Sequence, residues 1–166
     1  VRRILLTFAH LGYAESAGGL WSLTPRILEL GSGYFAASSL PEISYGYMAD
    51  VVERTGETCS IGVLDGLEVI HVARVEDHRP LPDSVRIGNR LPAHGTAIGK
   101  VLLSMLPRDE LEARLRGVRL ERLTPHTITD VGRLLARIDV VRARGWDVSI
   151  EELHPGQVAA AVPIVV

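Results

Sequence analysis

The apolar positions of this chain recur at two periods, and the switches between them outline its elements. Ile4, Leu5, Phe8 and Leu11 share one face at helical spacing, with Gly12 where a C-terminal cap belongs. Tyr13–Glu15 and Leu20–Leu23 are short strand-like pieces on either side of a Ser-Ala-Gly-Gly turn, so a β-hairpin should follow the first helix. From Pro25 the helical period returns through Ile27, Leu30, Tyr34 and Ala37, with Thr24 before the proline as the expected N-cap. Pro41 opens a further helix with Ile43, Met48, Val51 and Val52 on one side and Gly56 at its end.

Alternation then takes over. Cys59, Ile61 and Val63 alternate with Ser60 and Gly62, and Leu64-Asp65-Gly66-Leu67 carries a two-residue hairpin signal centred on Asp65 and Gly66. The return strand, Leu67–Val75, is apolar on both faces, which predicts a sheet covered on both sides; Val85–Ile87 is a weaker strand candidate. Helices are expected behind Thr96, over Arg108–Leu115, and from Val131 through Val141 with Asp130 as cap and Gly145 as stop. Trp146–Ile150 and Gln157–Ile164 read as closing strands. Helical pairs alternating with a hairpin-bearing sheet favour an α+β domain over a doubly wound one.

Composition adds bounds. Among 166 residues, 46% are hydrophobic and 23% charged, the balance of a soluble globular chain with one substantial core. A net charge of -2 gives no general attraction to nucleic acid, so DNA contact would need a local patch, and Arg2 and Arg3 form a small one. No apolar run reaches the length of a membrane span, no signal-peptide pattern stands at the start, and the single Cys59 fits a reducing compartment. A cytoplasmic location without membrane partners is expected. The chain opens inside a helical pattern and stops within an apolar strand, which implies further chain at both ends.

The segment LPAHGTAIGKVLLS, Leu91 to Ser104, concentrates the candidate chemistry. It is not a phosphate loop, because only three residues separate Gly95 from Gly99 and Val101 follows Lys100 where a hydroxyl should hold magnesium. Pro92 argues against a buried strand leading into it. Thr96 instead caps a helix carrying Ile98, Val101, Leu102 and Met105, and a helix start can hold a carboxylate or phosphate. The alternative is an ordinary capped helix, with Gly95 and Gly99 allowing close packing. Ala159, Ala160 and Ala161 leave space in the last strand for either a ligand or a neighbouring helix.

The remaining polar residues point to no catalysis. Cys59 reads as a small core residue, and His71 as a satisfied buried histidine. His78, His126 and His154 lack metal-ligand spacing, so neither a metal nor another cofactor is expected. Glu151 and Glu152 adjoin His154, yet neighbours on a strand point to opposite faces. No serine elbow or spaced carboxylate pair is present.

Along nearly its whole length the chain resembles the IclR family of bacterial transcriptional regulators. The matching segments are RRILLTFAHLGY, LWSLTPRILELGSGYF, VLDGLEVIHVARV, RIGNRLPAHGTAIGKVLLS, LTPHTITD, and RARGW, EELHPG and AAAVPI in that order. The string ASSLPEI is similar to the branch sensing aromatic acids such as 4-hydroxybenzoate or protocatechuate. The resemblance implies that residues 1–24 form the end of a winged helix-turn-helix, with Arg2 and Arg3 on the recognition helix and Ser16 in the wing contacting operator DNA. Residues 25–40 would be a linker helix. Residues 41–166 would be a GAF-like effector domain, an antiparallel sheet flanked by helices and lacking its last strand and helix. It further implies homodimers or tetramers, and a ligand-responsive regulator rather than an enzyme; a GAF-like stand-alone sensor or enzyme without DNA binding is the alternative.

Carried over position by position, the family's effector site falls on Ala97 and Ile98 beside Thr96, and on Ser149, Gln157 and Ala159. Members that bind small keto acids carry Asp, Leu and Cys where this chain has Ser149, Gln157 and Ala159. That departure favours a larger carboxylate over glyoxylate.

Overall fold

The computed structural model describes residues 1–37, 40–76 and 86–165 of the chain. It divides into two compact units, Val1–Ser44 and Tyr45–Val166.

In the first unit, α1 (Arg2–His10) is followed by the antiparallel hairpin of β1 (Ala14–Ala17) and β2 (Leu20–Leu23), with Ser16 opposite Trp21. Its core is thin. Ala14 is buried, Phe8 and Tyr13 meet edge to face at 6.2 Å, and Arg26 donates to the Leu11 carbonyl at 2.8 Å. The expected stripe of α1 is only half covered, since Ile4 and Leu11 stay exposed. Thr24 stands at the N-cap position as expected, of a 3-10 turn (Pro25–Ile27) that leads into α2 (Leu28–Ala37), but its hydroxyl donates to Gly12 O at 2.5 Å and caps no helix N–H.

The next helix, α3 (Leu40–Thr55), buries Ser44 and Met48 and leaves Ile43 and Val51 exposed, so its covered stripe is rotated from the one expected. Pro41, Ser44, Met48 and Val52 recur at steps of three and four, the row that faces inward.

The second unit is built around α4 (Ala97–Ser104). A three-stranded antiparallel sheet, β3 (Cys59–Asp65), β4 (Glu68–Val75) and β5 (Arg90–Pro92), packs against it, as does the antiparallel pair β6 (Asp147–Ile150) and β7 (Val158–Ala161). Helices α5 (Arg108–Leu115) and α6 (Val131–Arg144) complete a core in which Val69, Leu103, Leu111, Leu134 and Ile138 are essentially inaccessible. Their side chains interdigitate where sheet and helices each bury an apolar face.

Several boundaries differ from expectation for local reasons. The β3–β4 turn centres on Gly66 and Leu67, because Asp65 pairs with Glu68 and only Gly66 adopts a positive φ. Residues 86–88 form a turn, and Val85 lies outside the described residues. A short strand does lead into the segment Leu91–Ser104, but Pro92 is its last residue, where a missing N–H breaks no further ladder. The last strand ends at Ala161. By contrast α6 begins and stops as expected, with Asp130 accepting from Arg133 N at 2.8 Å and Gly145 at φ 80°.

Candidate functional site

The first turn of α4 is capped by its own sequence. The Thr96 hydroxyl accepts from Gly99 N at 3.0 Å, and Lys100 N donates to Thr96 O at 3.1 Å. Among the described residues no acceptor meets the N–H groups of Ala97 and Ile98, the two that a helix leaves open when its cap serves the third. Ala97 is only 1% exposed, and Ile98 is half-buried. Gly99 is required there: a Cβ would stand 2.2 Å from Ala93 O.

The β6–β7 pair brings the C-terminal candidates to the same helix. Ser149 is buried, sits opposite Ala159, and its hydroxyl lies 3.5 Å from Gly95 O in the turn before α4. Ala159 and Ala161 are half-buried, whereas Ala160 is exposed opposite Val148, so the pleat leaves only two of the three alanines inward. Gln157 precedes β7, and its Oε1 is buried with no hydrogen-bond partner among the described residues. Thus Thr96, Ala97, Ile98, Ser149 and Ala159 come together around α4, with Gln157 at the end of the β6–β7 connection.

A second sheet face closes on this helix start. Gly62 pairs with His71, and a Cβ on Gly62 would lie 3.0 Å from Ile98 Cδ1 and 2.5 Å from Val69 Cγ1. His71, directly opposite Gly62, therefore stands on the face that meets the first turn of α4. The expectation of a satisfied histidine fails here, because among the described residues neither ring nitrogen has a hydrogen-bond partner although the residue is 4% exposed. The β4 strand carries an extra residue between the Ile61–Ala73 and Gly62–His71 pairs, which returns Arg74 to the His71 face. The Arg74 side chain is 5% exposed and donates to Glu76 at 2.7 Å.

Burial, and then the Arg74 charge, hold the His71 imidazole below its ordinary value of 6.5. The unfolded chain takes up this proton near pH 6.5 and the folded one only at lower pH. Stability should therefore decline as pH falls below about 6.5, by at most about 1.4 kcal/mol per pH unit, until the folded imidazole titrates. Denaturation midpoints across that range, compared with His71→Phe, check this; equal slopes would assign the pH dependence elsewhere.

The most buried chemistry was not anticipated. Lys100 is fully buried in the second turn of α4, its Nζ 2.5 Å from Glu152 Oε1 and 3.3 Å from Asp147 Oδ2. Asp147 Oδ1 in turn accepts from Arg144 at 2.6 Å and forms an ion pair with Arg137, also at 2.6 Å. Thr124 and Thr127 donate to the carbonyls of Glu151 and Glu152 at 2.6 and 2.7 Å, fixing the turn that carries Glu152. A lysine inside an otherwise apolar helix face was the one local signal. Its partners lie about fifty positions away, beyond any motif.

Other candidates separate from this centre. Cys59 opens β3, and partial burial raises its thiol pKa. His126 lies 3.4 Å from Glu151, and His78 lies outside the described residues. Arg2, Arg3 and Ser16 are exposed in the first unit. Among the described residues no His, Cys, Asp or Glu cluster is arranged for a metal, and no helix is long and apolar enough to cross a membrane. A surface concavity of about 350 Å³ is lined by Arg74, Glu76, Arg86 and Ile87, and one of about 570 Å³ by Arg119–Arg122 with Thr129; neither is lined by the α4 start.

These features have close counterparts. A p-hydroxybenzoate hydroxylase transcriptional activator of Acinetobacter baylyi is 39% identical over 98% of this chain and 62% of its own length. The Pca operon regulatory protein of the same organism is 40% identical over 98% and 60%. Among solved structures, a PobR inducer-binding domain double mutant from Acinetobacter, in complex with 3-hydroxybenzoic acid, is 41% identical with a TM-score of 0.72, covering 77% of this chain and 75% of that one. The chain spans about three fifths of the length of these curated relatives. Residues 33–165 match the family described as bacterial transcriptional regulator IclR C-terminal, and the chain belongs to the IclR family.

Proposed function

We propose that this chain is the sensing part of a DNA-binding transcriptional regulator that responds to an aromatic carboxylate, and that it is not an enzyme. The observation that carries the reading is the start of α4, where the open N–H donors of Ala97 and Ile98 stand on a helix packed against the strand that carries the half-buried Ala159. Support for the aromatic class comes from the relatives named for p-hydroxybenzoate and Pca control, and from the relative that holds 3-hydroxybenzoic acid. Ser149 and Ala159, in place of an acid and a larger side chain, suit a ring-sized anion. The carboxylate rests on Ala97 and Ile98, and Arg74 contributes favourable charge from the facing strand.

In this reading residues 1–24 are the end of a winged helix-turn-helix, 25–40 a linker and 41–166 the effector domain of a cytoplasmic homodimer or tetramer. Arg2, Arg3 and Ser16 contact operator DNA, where arginine side chains supply phosphate or base contacts. The effector acts by binding one quaternary arrangement better than another, since only differential affinity shifts DNA binding.

Thermal unfolding against 4-hydroxybenzoate, protocatechuate, benzoate and glyoxylate tests the proposal. At about one hundred times its dissociation constant, a ligand adds roughly 2.7 kcal/mol, a rise of roughly 5–10 °C for a domain this size. The rise is expected with an aromatic acid, and Ala159→Phe should abolish it. A response to glyoxylate alone would overturn the aromatic assignment.

A further inference from the structure

The sheet face opposite α4 carries a polar group that the carboxylate site does not use. His71 is 4% exposed, yet among the described residues neither of its ring nitrogens has a partner. A buried, unpaired polar group is unfavourable and persists in native folds where something outside the chain completes it. The histidine is also placed, because it lies across the ladder from Gly62, the residue whose missing side chain lets Ile98 approach. The same face thus presents an unsatisfied imidazole toward the first turn of α4, which holds the open N–H groups of Ala97 and Ile98.

The two sets of groups differ in chemistry. Helix N–H groups only donate, so they select an anion. A neutral imidazole offers one donor and one acceptor, and both burial and Arg74 disfavour its charged form. It is therefore a poor counter-ion for a carboxylate and a suitable acceptor for an O–H.

Resting on the carboxylate-sensing reading above, we infer that His71 is a specificity-determining residue of the effector site: it accepts a hydrogen bond from a ring hydroxyl of a hydroxylated aromatic acid whose carboxylate lies on the α4 start. Discrimination follows from the unpaired nitrogen. An acid without the hydroxyl leaves that nitrogen unsatisfied, whereas the hydroxylated acid completes it.

Calorimetric titration of the full chain and of His71→Phe with benzoate, 3-hydroxybenzoate and 4-hydroxybenzoate tests this. The wild-type chain should bind one hydroxylated acid about tenfold more tightly than benzoate, and His71→Phe should lose that preference while keeping its benzoate affinity. His71→Gln, which retains an acceptor, should recover part of it. Without ligand, His71→Phe should melt higher than the wild type, since it removes an unsatisfied polar group. A lower melting point would show that the ring has a structural role and overturn the inference. So would equal wild-type affinity for all three acids, or a hydroxyl preference that survives in His71→Phe; either leaves the carboxylate site standing. Binding of none of the three would remove the aromatic reading, and the inference with it.

Discussion

Lys100→Met is expected to destabilise the Tyr45–Val166 unit by about 3–5 kcal/mol, the usual consequence of removing one partner from a buried ion pair. The methionine retains the length and packing of the lysine stem, so the loss isolates the charge. Asp147 would keep Arg137 and Arg144, but among the described residues the Glu152 side chain has no partner besides Lys100, and its Oε2 is already unsatisfied. An uncompensated carboxylate at that depth pulls the 151–157 turn open toward water. Denaturant midpoints measure the effect, and Lys100→Met combined with Glu152→Gln should recover part of it through coupling between neighbours. A loss below about 1 kcal/mol for the single variant would mean that the pair is solvated, contrary to its burial.

Gly99→Ala should be nearly as damaging, against the ordinary trend. Alanine in a helix is usually worth about 1 kcal/mol over glycine. Here the added Cβ would meet Ala93 O, Cα and C at 2.2, 2.3 and 2.6 Å, all backbone atoms that cannot rotate away. The first turn of α4 must then separate from the 3-10 turn Ala93–Gly95, with an expected loss of about 3 kcal/mol, the upper end for an overpacked core. Effector affinity should fall with it, because the same turn carries the Ala97 and Ile98 donors. Gly46→Ala is the control: nothing lies within 4 Å of its added Cβ in α3, so it should be neutral or stabilising. Similar losses at both positions would remove the close approach as the cause.

What could be read from the sequence was what short-range chemistry decides. The Thr96 and Asp130 caps, the Gly145 stop and the bounds of α5 are fixed by hydrogen bonds and torsions within a turn or two, and each stands where expected. The hairpin was visible, but its register was not, since Asp65-Gly66 and Gly66-Leu67 carry nearly the same local signal. On α3 the apolar residues outnumber the covered positions, so composition alone could not choose Ser44 over Ile43 as the inward side chain. The site was half legible. Motif similarity named Ala97, Ile98, Ser149 and Ala159 as candidates, which the fold brings together around α4, whereas the Lys100 cluster and the unsatisfied state of His71 depend on contacts between distant segments.

The distance along the chain between Lys100 and Glu152, 52 residues, also constrains the order in which the domain assembles. Docking α4 onto β3 and β4 would carry an ammonium group out of water before its counter-charges existed nearby, and that step is strongly unfavourable. The helix can form early, but it cannot settle until β6 and the turn after it arrive. On a ribosome, which delivers the N-terminal part first, β3, β4 and β5 wait with an uncovered apolar face until Glu152 has emerged. Closure of the domain is thereby tied to synthesis of β6 and the turn that carries Glu152, and the nascent chain passes through a long interval in which a chaperone has something to hold.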